Sequence, residues 1–207
     1  MGIVYEATLD PSKQELVAGW LPSRSWGRGL EITGKVGEYR FDDPAGEVGV
    51  ETIVFATTDG SLIQVPLTYR AQPLAGAEES LVGTSEHSVL GTRWVYDGCG
   101  DPVWAAGLAT AILTGGTQDQ MYLEQDGERI DVPPRMQVRG SGEPGSDVPD
   151  VVAVDSVTDH GTTTVVRCGA LELLLARVIG TELVADETLF GSWKNGEGVL
   201  ASVRRTS

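Results

Sequence analysis

Apolar residues along the chain fall into short β-type runs, interrupted twice by a helical spacing. Residues 2–8 read as a short strand, after which Asp10-Pro11 supplies a helix cap followed by proline at the first helical position. Leu16, Val17, Trp20 and Leu21 then recur at helical spacing until Pro22 ends the run, which predicts a helix packed on a sheet. A Gly-rich stretch, 24–37, precedes three predicted strands at 38–42, 48–57 and 61–70. Asp59-Gly60 joins the last two; this pair tolerates positive φ and predicts a tight hairpin. Pro66 lacks an amide donor, which predicts an edge strand or a bulge there. Residues 81–89 and 93–96 add further strands. Asp101-Pro102 repeats the cap-plus-proline signal, and Trp104, Leu108, Ala111 and Ile112 line a second helical face that stops at Gly115-Gly116.

The second half is richer in strand signals. Residues 121–125 and 128–132 flank Asp126-Gly127 and read as another hairpin, and the Gly-, Ser-, Pro- and acid-rich stretch 140–150 reads as a flexible loop. The runs 151–157, 162–168 and 170–179 predict paired strands, and 188–194 and 198–204 meet around Asn195-Gly196 as a third hairpin. The expected fold class is α+β: an antiparallel β-sheet packed with two or three helices, followed by a β-rich second half. The expected division is 1–116 and 117–207, with the two regions free to be parts of one domain.

At 207 residues the chain can bury a core without disulfides or metal. A formal net charge of −15 repels nucleic acid and anionic membrane at long range, which argues against both as partners. The acids are spread along the chain, as on a solvated surface. The only cysteines, Cys99 and Cys168, have no disulfide-framework spacing, which favours free thiols in a reducing compartment. Residues 1–9 hold no basic segment followed by a long apolar run, and no apolar run is long enough to span a bilayer, so a cytoplasmic location is expected.

The candidate catalytic motifs are each incomplete. Residues 29–36 match the glycine and lysine spacing of a P-loop, but Val36 stands where a magnesium-binding hydroxyl belongs, and the residues that follow read as a strand instead of a helix. Asp159-His160-Gly161-Thr162 is similar to the opening of the aminoglycoside-phosphotransferase catalytic loop, yet Thr162 replaces the base and the chain's only asparagine is Asn195. A polar turn between strands accounts for it. A Cys99–His87 pair oriented by Asp97 has no motif to support it, and His87, Cys99, His160 and Cys168 lack paired zinc-ligand spacing. Asp42, Asp43, Glu47, Asp97 and Asp101 are carboxylates in a chain rich in them, and Asp101 is explained as a helix cap. No metal or cofactor is expected.

Among the five tryptophans, Trp20 and Trp104 fall on apolar helical faces, whereas Trp26, Trp94 and Trp193 stand in a loop or near strand ends. Those three, with Arg28 and Asp97, form the candidate ligand or partner surface. Trp26-Gly27-Arg28, the run Gln64 to Tyr69, and Trp94-Val95-Tyr96-Asp97 leading to Asp101-Pro102 and a helix together resemble the maltokinase N-terminal cap-like family, over about residues 2–115. That resemblance implies a cystatin-like cap and a setting in α-glucan, maltose, trehalose or glycogen metabolism. It implies a stand-alone, non-catalytic interaction or regulatory module whose partner is a kinase or a glucan- or trehalose-metabolising enzyme. An oligosaccharide held by exposed tryptophans and an unrecognised carbohydrate-active enzyme remain the alternatives.

Overall fold

The computed structural model describes residues 2–4, 8–125, 128–184 and 186–206, with the side chains of 2–4, 123–125 and 128–129 left aside. In chain order the elements are β1 (Gly2–Val4), β2 (Leu9–Asp10), α1 (Lys13–Trp20), β3 (Ile32–Arg40), β4 (Gly49–Thr57), β5 (Leu62–Arg70), β6 (Leu81–His87), β7 (Gly91–Asp97) and α2 (Pro102–Leu113). They continue with β8 (Met121–Gln125), β9 (Glu128–Val132), β10 (Met136–Gly140), β11 (Ser156–His160), β12 (Thr163–Cys168), β13 (Leu171–Ala176), β14 (Glu187–Trp193) and β15 (Gly196–Arg205). The fold is sheet-rich and mostly antiparallel, with two short α-helices among the described residues. None of these helices is long and apolar enough to cross a membrane.

Three sheets result. The first half builds a six-stranded sheet in the order β2-β6-β7-β5-β4-β3, and the second half another in the order β10-β14-β15-β13-β12-β11. A small sheet β1-β8-β9 contains the one parallel pairing among the described residues, between β1 and β8. The predicted strand 2–8 is described only at residues 2–4 and 8. Its start pairs with β8, β2 pairs with β6, and residues 5–7 lie outside the described set.

Period-two alternation sends successive residues of β4 and β5 to opposite faces of the first sheet. Ile53, Phe55, Ile63, Val65 and Leu67 pack on one face with Val17, Trp20 and Leu21 of the α1 region. On the other face Val50 and Val54 join a larger core that contains α2 and the inner face of the second sheet, including Val166, Leu173, Leu175, Leu189 and Val203. Helix α2 is buried between the two sheets, which explains a sequence with almost no polar face: Trp104, Ala105, Leu108, Ala109 and Ile112 are all fully buried.

Local signals decide the element ends. Helix α1 begins at Ser12, not Asp10, because Ser12 and Glu15 form a reciprocal capping box that satisfies two backbone donors. Helix α2 is capped by Asp101, whose Oδ1 accepts the Val103 N–H at 2.9 Å, with Pro102 at the first position. At its end Gly115 takes φ +67° and the Gly116 N–H bonds the Ala111 carbonyl at 2.8 Å, a Schellman closure. The hairpin at Asp59-Gly60 forms as expected but with a three-residue loop, Gly60 adopting φ +86°. Lys194-Asn195 closes the last hairpin, one residue earlier than the Asn-Gly signal suggests. The Asp126-Gly127 turn lies outside the described residues, although β8 and β9 pair on either side of it.

Two expectations need correction. Strand β5, which contains Pro66, is internal and not an edge. Proline is tolerated there because the neighbour on its amide side changes. Residues 63–64 bond to the chain at 177–178 through an isolated bridge, while β7 pairs only with residues 67–70, so no ladder donor is needed at Pro66. The apolar run 151–155 forms no strand; Val151 and Val154 pack over the core from irregular chain, and pairing starts at Ser156.

The turn following β10 also closes α2. The Gly142 N–H bonds the Ile112 carbonyl at 2.9 Å and the Gly140 N–H bonds Gly116 at 2.9 Å, so backbone passes directly over the helix end. A Cβ at Gly140 would lie 1.9 Å from the Ala111 carbonyl oxygen. Gly140→Ala is expected to lower stability by about 1–3 kcal/mol or more, whereas Gly34→Ala, which meets nothing within 4 Å, should change it by less than about 0.5 kcal/mol. Urea denaturation of the two variants checks the contrast, and equal midpoints would contradict it.

Candidate functional site

The five residues singled out by sequence do not form one surface. Trp26 and Asp97 come together, but in the interior: they are only 6% and 5% exposed and share the Arg177 guanidinium. Arg177 lies 4.7 Å from the Trp26 ring centroid and donates through Nη2 to Asp97 Oδ2 at 2.5 Å. Its Nε donates to Thr164 Oγ1 at 2.7 Å, and Nη2 also meets Cys99 Sγ at 3.2 Å. Asp97 uses its other oxygen to accept the Cys99 N–H at 3.3 Å, capping the short 3-10 turn before α2. The network extends outward through Asp159, which accepts from the hydroxyls of Thr164 at 2.6 Å and Ser25 at 3.2 Å.

This arrangement is a structural lock. Burial alone would disfavour the charged guanidinium, but the Asp97 carboxylate outweighs it and keeps Arg177 protonated. The same burial pushes the Cys99 thiol well above its ordinary range, Arg177 notwithstanding, and lifts Cys168 to about 11. Both cysteines are free, buried thiols and are poor nucleophiles in that state.

A Cys99–His87 pair is not formed. His87 stands at the β6–β7 loop, where its Nδ1 accepts the Val89 and Leu90 N–H groups at 3.2 and 3.1 Å. Asp97 and Cys99 lie at the other end of β7, about 20 Å away at 3.3 Å per residue. The His160-Gly161-Thr162 segment is the β11–β12 turn, with Gly161 at φ +60°. Residues 32–40 form β3, so the P-loop-like spacing ends in a strand. No group of three metal-ligating side chains occurs among the described residues.

Trp94 is half-buried on β7 opposite Arg70, and Arg28 is exposed in the turn before β3. Trp193 ends β14, is half-buried, and lines a cleft of about 590 Å³ with Arg135, Met136, Gln137, Ser192 and Lys194. A second cleft of about 430 Å³ runs along α2, with Asp42, Asp43 and Asp119 on its wall. Those acids already serve the fold: Asp43 accepts the N–H groups of Ala45, Glu47 and Val48, and Asp119 accepts that of Asp42.

Sequence reasoning passed over Arg177, Arg70 and Gln64. Arg70 makes a bidentate pair with the fully buried Asp101 at 2.7 Å for each bond, so the helix cap is also an ion-pair partner. The signal available for Arg177 was one cation inside the apolar run 171–179. Its partner lies 80 residues away in sequence.

Residues 20–101 match the family model of the maltokinase N-terminal cap domain. The match runs from the last residue of α1 to the α2 cap, a shorter span than the resemblance suggested. No curated protein matches the chain.

Breaking the lock tests its weight. Removing one partner of a buried pair leaves an uncompensated charge, so Arg177→Met should cost about 3–5 kcal/mol, while Arg177→Met combined with Asp97→Leu should recover most of that loss. Denaturant titration of the single and double variants provides the measurement; a single-variant loss below about 1 kcal/mol would contradict the assignment.

Proposed function

We propose that the protein is a non-catalytic cap module serving α-glucan, maltose or trehalose metabolism in the cytoplasm, where it docks on or steadies a partner enzyme. The carrying observation is the cap-domain match over residues 20–101. In this reading β2 to β7 with α1 across one face correspond to the cystatin-like cap, and the second sheet is an accessory that covers its other face. The buried, fully engaged Asp97 and Cys99 and the turn at Thr162 support a binding role over a chemical one. The partner class is a sugar kinase or a glucan- or trehalose-modifying enzyme.

Two measurements bear on this reading. Purified protein mixed with a maltokinase or a trehalose synthase from the same organism should elute with one of them as a stoichiometric complex in size-exclusion chromatography. Alone with maltose and ATP it should form no maltose phosphate. Turnover in a clean preparation, or separate elution from every such enzyme, would count against the proposal.

A second reading, saccharide binding, is favoured by one observation: Trp193 is half-buried at the wall of a cleft large enough for a sugar. Trp26 is removed from that role by its burial.

A further inference from the structure

The two clefts differ sharply in charge. In a chain with 30 acidic and 15 basic residues, the α2 cleft has three carboxylates on its wall and no cation. The Trp193 cleft has two cations, Arg135 and Lys194, and no carboxylate. Both cations are exposed, and among the described residues neither has an ion-pair partner, although eight other basic side chains do. Two unpaired cations beside a cleft whose lining holds no carboxylate make the local potential more positive than the molecule's net charge implies.

The strands fix this grouping. Trp193 pairs with Met136 across β14 and β10, so Arg135 and Lys194 extend from the same end of that strand pair, one from each chain segment. The indole lies against Gly196, where a Cβ would approach within 3.0–3.1 Å of its ring; glycine there makes room for the ring to lie across the hairpin.

We infer that this cleft binds a phosphorylated mono- or disaccharide. The inference rests on the saccharide-binding reading and names its ligand class. The sugar's apolar face packs on the Trp193 indole. The phosphate is held by the planar Arg135 fork and the Lys194 ammonium. A neutral saccharide leaves both cations unused, and a polyanion is repelled by the chain's net charge.

Tryptophan fluorescence and calorimetry with glucose 1-phosphate and glucose 6-phosphate, set beside maltose and inorganic phosphate, test this. At least one sugar phosphate should bind saturably in the millimolar range or tighter, at least tenfold better than maltose or inorganic phosphate. Arg135→Gln and Lys194→Gln should each weaken it about tenfold with the melting temperature unchanged, and Trp193→Phe should abolish the fluorescence response. Maltose binding as tight as the sugar phosphates overturns the inference but leaves the saccharide reading standing. Absence of binding by all of them overturns both, and inorganic phosphate binding equally well reduces the cleft to an anion patch and overturns the inference.

Discussion

One buried amide, that of Gln64, joins the two large sheets. Its Nε2 donates to the Ala176 carbonyl at 2.7 Å and the Leu200 carbonyl at 2.6 Å, while its Oε1 accepts the Tyr39 hydroxyl at 3.1 Å. Gln64 belongs to the first sheet and both carbonyls to the second. The position is set by a break in the second sheet: the β14–β15 register skips at Leu200, and the β13–β15 ladder ends at Leu175 and Ala201. Two strand carbonyls are thus left without ladder partners in the interior. Each unmet group would cost about 1–3 kcal/mol, so the amide and the bulge require one another.

Around that contact the inter-sheet seam is continued by backbone and charge. The Gln64 N–H bonds the Arg177 carbonyl at 3.0 Å and the Ile179 N–H bonds Leu62 at 2.8 Å, so the chain leaving β13 runs on beside β5. One residue beyond Ala176, the Arg177 side chain crosses to Asp97 and Trp26. Gln64, Trp26 and Asp97 all lie within the stretch matching the cap family, whereas Ala176, Arg177 and Leu200 lie outside it. The first sheet completes its polar interior with groups from the second sheet.

Much of the fold was legible because its signals are local. Hairpins were marked by Asp-Gly and Asn-Gly pairs, and α2 by Asp101-Pro102 at one end and Gly115-Gly116 at the other. Strand β10 was missed although Met136 to Gly140 alternates buried and exposed positions; the neighbouring Gly- and Pro-rich residues masked a five-residue period. The run 151–155 misled for the opposite reason, since an apolar run reports burial and not pairing. The site was less legible. Trp26 and Asp97, expected on a ligand or partner surface, are buried around Arg177, whose approach is a matter of topology. Gln64 is a single polar residue beside Leu62, Ile63 and Val65, and its acceptors are over 100 residues away.

The central claim is that Gln64 makes the two sheets one cooperative unit. Native-state hydrogen exchange on the wild type and on Gln64→Met measures this directly. The substitution removes the amide and leaves both carbonyls buried, so protection in β4 of the first sheet and β13 of the second should fall together and by the same amount. Loss of protection confined to one sheet, with the other unchanged, would show that the sheets unfold independently and would contradict the account.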